Sequence, residues 1–154
     1  MNLIVFDTYK PEYATPFKEL NLNWLEAFFE VEPHDKEVLS NPETHIIKTG
    51  GDILVAKIED RVVGVVALMP DKNGIFELTK MAVASSLRGQ KIGQQLLQHT
   101  IHFARQKGLD QLILYSNRKL ENAIYLYRKY GFVEVPLEQP NPYERADIKM
   151  EIDL

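Results

Sequence analysis

The apolar residues of this chain change their spacing repeatedly, and each change marks an element. Leu3–Asp7 is a short β-rich run. From Ala14 to Phe29, Phe17, Leu20, Trp24, Leu25 and Phe28 recur at the spacing of one helix face. VEPHDKEVLSNP follows, punctuated by Pro33 and Pro42, with room for a short helix around Asp35–Leu39. The runs DILVAKIED and RVVGVVALMP are β-branched and read as strands joined by a tight polar turn at Asp60-Arg61. Asn73-Gly74 is a strong hairpin signal and leads into the strand IFELTKMAV. The middle of the chain is therefore predicted to be a three-stranded antiparallel meander.

A helical period then returns, with Ile92, Leu96, Leu97, Ile101 and Ala104 on the buried face and Lys107-Gly108 as the stop. QLILYS is the next strand; reaching it across a helix makes it a parallel neighbour of the strand before. LENAIYLYRKYGF is a second amphipathic helix carrying Ala123, Leu126, Tyr127 and Tyr130 on one stripe, closed by Gly131. FVEV, the proline-rich loop PLEQPNPYER and the alternating strand ADIKMEIDL complete the chain. The order β-α-α-β-β-β-α-β-α-β-β implies an α+β fold, a mixed, mostly antiparallel sheet with helices on both faces.

Composition narrows the chemistry. The 154 residues suit a single domain, 1–154, with one core. No apolar run approaches the ~18 residues of a membrane span, and the N-terminus has no basic stretch before its apolar run, so the reading is of a cytoplasmic protein. The absence of cysteine removes disulfides, thiolate metal sites and a thiol nucleophile together. A net charge of -4 argues against a general affinity for nucleic acid. His99 and His102 stand i, i+3 on one helix with no other ligand type beside them, so no metal is assigned.

The stretch AVASSLRGQKIGQQLL turns a strand into a helix through two glycines and two basic residues. Free N–H groups at a helix start, with the helix dipole behind them, form an anion site, and glycine lets the anion approach closely. Arg88–Gly93 could thus cradle a phosphate or pyrophosphate; the alternative is a solvated helix start. Neither a Walker-type loop nor a G-x-G-x-x-G after a first strand is present.

Taken with NAIYLYRKYGF some 30 residues downstream, Arg88…Gly93 resembles the paired motifs of the GNAT superfamily of acyl-CoA-dependent N-acyltransferases. The second motif is carried by Ala123, Leu126, Tyr127, Gly131 and Phe132. The segments LNLNWLEAFFEVEPHDKEVLSNP, KMAV and LYSNRKLENAIYLYRKYGF are similar to the acetyltransferase half of bacterial winged-helix-regulator/GNAT fusions, without the regulator half. The resemblance implies acetyl transfer from acetyl-CoA directly to a primary amine of a small molecule or peptide, with no covalent enzyme intermediate. It implies cofactor contacts from Met81, Ala82 and Val83 along the strand and from Arg88, Gly89, Gln90, Lys91, Ile92 and Gly93 at the helix start. Two departures stand out: Lys91 replaces the motif's first glycine, and Leu120 replaces a frequent asparagine, for which Asn117 or Asn122 could substitute.

Such a transfer must deprotonate the acceptor. A lysine-like amine with pKa about 10.4 lies ~3.4 units from neutrality, or ~4.6 kcal/mol. Glu77 is the candidate base, against the alternatives of a solvent-facing strand residue or a partner to Lys80; Glu30, Glu32 and His34 are rival bases, and ordered water alone is the other route. The resemblance assigns Tyr127 as the acid for the leaving thiolate, against the alternative of a core aromatic. Glu30, Glu32 and His34, in an acidic segment, and Tyr143 and Arg145, in a loop that could act as a lid, are candidate substrate contacts. Trp24, Phe28 and Phe29 suit the helix–sheet core better than a cofactor site. The other readings are a catalytically degenerate acyl-CoA-binding sensor or partner-binding module, and an unrelated α+β domain that binds simple phosphate. Dimerisation through the last strands, common in the family, is left open.

Overall fold

The computed structural model describes residues 3–154. Its seven strands are β1 (Ile4–Thr8), β2 (Asp52–Ile58), β3 (Arg61–Lys72), β4 (Ile75–Val83), β5 (Gln111–Ser116), β6 (Val133–Val135) and β7 (Ile148–Asp153). They form one sheet in the order β1-β2-β3-β4-β5-β7-β6. Among the described residues, only the β4–β5 pair is parallel. That pair is joined through α3 (Ile92–Lys107), as the crossover requires.

Two cores follow from the alternation of side chains along the strands. On one face, α1 (Ala14–Phe28) and α2 (Pro33–Ser40) cover Ile53, Val55, Val65 and Ala67 with Phe17, Leu25, Val38 and Leu39. On the other, α3 buries Ile92, Leu96, Leu97, Ile101 and Ala104 against Leu54, Val66, Leu68 and Leu112. Burying each large aliphatic side chain stabilises the fold by about 1.5–3 kcal/mol. The helix α4 (Glu121–Lys129) lays Ile124, Leu126 and Tyr127 on this second core.

The predicted elements appear in the predicted order, with local differences. The β2–β3 turn is Glu59-Asp60, not Asp60-Arg61: Arg61 already pairs with Ile58, and Glu59 takes the left-handed conformation at φ 56°. The second helix starts earlier, at Pro33, because Glu32 and Asp35 form a reciprocal capping box around that proline. A single π-helical turn, Glu43–Ile47, has no counterpart in the sequence reading. Among the described residues, no helix is long and apolar enough to cross a membrane.

Candidate active site

The site begins with a fault in β4. Val65 and Ala67 of β3 pair with Ala82 and Thr79 of β4, so three steps on β4 oppose two on β3. This is a β-bulge, and Lys80 within it sits at φ 55°. Just before the bulge β4 leaves β5: their ladder runs only from Ile75–Gln111 to Glu77–Ile113. The facing edges of Leu78–Val83 and Leu114–Ser116 are consequently splayed apart. Ala84 donates its N–H to Val63 on β3 at 2.8 Å, so strand alternation turns the Val83 N–H toward the open side.

Two cavities occupy this split. The inner one, about 100 Å³, is walled by Thr79, Lys80 and Met81 on one side, by Tyr115, Ser116 and Asn117 on the other, and by Tyr143 and Arg145. The outer groove, about 400 Å³, runs along Met81–Val83 to Arg88, Gly89, Lys91, Ile92 and Gly93, with Asn122 and Leu126 opposite. Trp24, Met81, Ala123 and Tyr127 line both, so the two spaces meet there.

At the far end of the groove, α3 starts without a side-chain cap, and its first intrahelical bond is from Gln95 N–H to Lys91 C=O. The N–H groups of Ile92, Gly93 and Gln94 therefore lack intrahelical partners. Gly89, at φ 87°, has nothing within 4 Å of where a Cβ would stand, which leaves that side of the loop open to a ligand. Lys91 takes the left-handed conformation at φ 64° that a glycine would take, so its substitution preserves the shape of the loop. This end fits a pyrophosphate: three free donors, a helix dipole, and Arg88 and Lys91 beside them. Arg88 meanwhile rests its guanidinium 5.5 Å from the Phe28 ring centroid.

Tyr127 stands at the junction. Its ring is edge-on to Phe132 at 5.7 Å, and its hydroxyl has no hydrogen-bond partner among the described residues. Burial pushes its pKa up to about 12. The phenol thus remains protonated at neutral pH.

The inner cavity is backed by a buried ionic cluster. Lys80 Nζ donates to Asp35 at 3.1 Å, with their side chains 2% and 0% exposed. Arg145 donates to both oxygens of Asp35, at 2.7 and 3.1 Å, and to Glu32 at 2.8 Å. Burial pulls the Lys80 pKa down against the attraction of Asp35. The cluster ties the β4 bulge, the start of α2 and the segment before β7 together. Tyr143, only 4% exposed, is a packed wall rather than a lid, and Arg145 is committed to protein carboxylates rather than open to a substrate carboxylate.

Ala82 and Asn122 are in the groove wall, and Gln90 is not among the residues that line it. Asn117 lines the inner cavity instead, with its amide donated to Arg145 C=O at 2.7 Å. Glu77 lies on the wall of neither cavity; its carboxylate accepts from Tyr143 at 2.8 Å. Burial raises its pKa. Glu30 is exposed and lines neither space, Glu32 serves as cap and ion-pair partner, and the His34 ring lies 6.2 Å from that of Tyr143. The sequence does not reveal the pairing of Lys80 with Asp35, and Trp24 and Phe28, expected in the core, line the groove. A lysine inside the apolar strand FELTKMAV was the available signal.

A family profile described as an acetyltransferase (GNAT) domain matches residues 49–134. The Xenopus laevis protein named probable N-acetyltransferase camello is 33% identical over 99 residues, covering 63% of this chain and 45% of that protein. The chain spans about half the length of the first curated relatives it matches. Among solved structures, a GNAT-family acetyltransferase from Staphylococcus aureus Mu50 superposes with TM-score 0.85 at 24% identity, over 99% of each chain. The PaiA N-acetyltransferase of Thermoplasma acidophilum, solved in complex with coenzyme A, superposes with TM-score 0.74 at 18% identity, again over 99% of each chain. At such identities the structures speak for the fold, and the profile, spanning more than half of the sequence, speaks for descent. The splayed fourth strand and the open helix start that follows it are accordingly those of a member of the GNAT acetyltransferase family.

Proposed function

We propose that residues 1–154 form a single acetyltransferase domain that moves an acetyl group from acetyl-CoA directly to a primary amine. The observation that carries this reading is the meeting of the two cavities at Tyr127, whose hydroxyl has no partner among the described residues. A long groove ending at a pyrophosphate-like cradle suits the nucleotide arm of coenzyme A, and a solved neighbour is described as a coenzyme A complex. The small inner cavity suits the amine end of a small molecule or peptide.

Acetyl-CoA, when bound, supplies the activated thioester carbonyl. The chain's own groups do the rest. The uncapped N–H groups of Ile92–Gln94, with Arg88 and Lys91, hold the pyrophosphate. Asn122 stands across the groove as the remaining amide contact. The Val83 N–H, facing the split, stabilises charge that develops on the carbonyl oxygen. Tyr127 holds a proton on its hydroxyl for the departing thiolate. Glu77 is the base for the acceptor amine. With no cysteine in the chain, transfer proceeds without a thioester on the protein.

Calorimetric titration with acetyl-CoA, with inorganic pyrophosphate as control, tests the reading. Micromolar binding of acetyl-CoA and much weaker binding of pyrophosphate are expected, followed by turnover across a panel of primary amines. Equal binding of the two would reduce the site to a phosphate cradle. Tight acetyl-CoA binding without turnover on any amine would favour a sensor.

A further inference from the structure

Glu77 has the chemistry of a base but the wrong address. It is on neither cavity wall, so an acceptor amine in the inner cavity does not meet its carboxylate. Two hydroxyl groups stand between: Tyr143 and Thr79 both line the inner cavity, and their oxygens are 3.2 Å apart. The Tyr143 hydroxyl donates to Glu77 Oε2 at 2.8 Å. Since that bond uses the only phenolic proton, the Tyr143 oxygen is left as an acceptor, and Thr79 donates to one of its lone pairs.

We propose that Tyr143 is the proton carrier between the inner cavity and Glu77. This inference rests on the acetyl-transfer reading and specifies how its base is reached. The acceptor ammonium gives a proton to the Tyr143 oxygen while Tyr143 passes its own to Glu77 Oε2. The phenol is regenerated, the amine gains a free lone pair, and the carboxylate becomes a carboxylic acid. The proton returns to solvent by the reverse path after transfer.

Burial and the Glu77 carboxylate push the Tyr143 pKa up, so the phenol keeps its proton at rest and carries one only by taking a proton as it gives one. The Lys80 ammonium lies 4.9 Å and the Arg145 guanidinium 4.8 Å from the Tyr143 ring centroid, which limits the negative charge that develops during the exchange. The remaining titratable neighbours of Tyr143 are Tyr115, with its ring 5.8 Å away, and His34 at 6.2 Å. Those acting on Glu77 are Lys80, which favours its charged form, and Asp71, which opposes it. Tyr115 is held by Glu138 and Asp35 by Lys80 and Arg145. Among these groups, Glu77 is the carboxylate hydrogen-bonded to Tyr143.

The sign of the pH dependence follows. Glu77 accepts a proton only when ionised, and burial raises its pKa. The kcat of the wild type should therefore fall as pH drops through a value above the ordinary carboxylate range. The test uses methylamine and ethylamine as acceptors, both small and held as ammonium ions at neutral pH like a lysine side chain, with rates corrected for the uncatalysed reaction. Tyr143→Phe keeps the ring and removes the carrier; Glu77→Gln removes the base. Each is expected to lower kcat on the order of 10²-fold and to flatten the acid limb, and the double variant should be no slower than the slower single variant. Acetyl-CoA affinity by calorimetry and the melting temperature check that each variant is folded. Infrared titration of the ligand-free protein reads the dyad without turnover: the protonated-carboxyl component that titrates above the ordinary carboxylate range should be lost in Glu77→Gln and move to higher pH in Tyr143→Phe, which has lost its donor.

Turnover by folded Tyr143→Phe with the wild-type pH profile, or losses that simply multiply in the double variant, would overturn the carrier role alone. No turnover by the wild type with these acceptors or with any amine of the panel would overturn the acetyl-transfer reading, and the carrier with it.

Discussion

Asp35 has no exposed side-chain surface and receives protons from three directions: Lys80, the Arg145 fork and the Glu32 backbone N–H at 3.0 Å. Burial alone would raise its pKa; the Arg145 hydrogen bonds and the Lys80 charge outweigh that and hold it below its ordinary 3.8. Asp35→Asn leaves a buried lysine without its counter-charge, and the expected loss is about 3–5 kcal/mol in urea unfolding at neutral pH. A depressed carboxylate contributes stability that is complete above its unfolded pKa and lost as pH falls through the folded one. The gap between wild type and Asp35→Asn should thus hold at neutral pH and narrow only below about pH 3.8. A gap that stays constant down to the acid limit would mean that the ion pairs contribute nothing beyond packing. Glu77 works in the opposite sense: its raised pKa contributes stability at low pH that fades as pH rises through it. At this scale the sequence was partly readable. Tyr127, Arg88 and Gly93 could be placed because each belongs to a local pattern on one element. The Lys80–Asp35 pair, 45 residues apart, could not, because nothing local announces a partner across the fold.

The elements themselves were legible wherever the period of apolar residues decided them. The strand IFELTKMAV was predicted with its observed bounds, and the stop at Gly108 matches its left-handed C-cap at φ 84°. What the period misses is the break inside a strand. The bulge at Lys80 adds a residue without changing the composition of β4, yet it sits where β4 has parted from β5 and both cavities open. The connection before β2 shows the same limit. Gly51 sits where a Cβ would come within 2.5 Å of Leu68 C=O and 2.8 Å of Ile46 C=O. Both are backbone atoms, so the clash cannot be relieved by a side-chain turn. Gly51→Ala should cost about 1–3 kcal/mol, seen as a lower denaturation midpoint. An unchanged midpoint would show that the π-helical turn at Glu43–Ile47 yields freely.

On the scale of the whole molecule, the helices divide the labour. The pair α1 and α2 roofs the split sheet, and α3 and α4 supply the cradle and the phenol. The end of α1 is held by two cations: Arg88 over the Phe28 ring, and Lys119, whose Nζ is 4.0 Å from the Phe29 ring centroid and donates to Phe28 C=O at 2.8 Å. Trp24, one turn earlier, has its ring 5.4 Å from Phe28 and 5.7 Å from Phe29. It is the sole tryptophan of the sequence and borders both compartments. The protein therefore carries its own optical probe at the point where two ligands would meet. Selective excitation of the indole should give a saturable change in emission with acetyl-CoA and a further one when an amine joins a dead-end complex with coenzyme A, both absent in Trp24→Phe. A compound that calorimetry shows to bind in silence, with the indole spectrum unmoved, would be lodged somewhere other than this crossing.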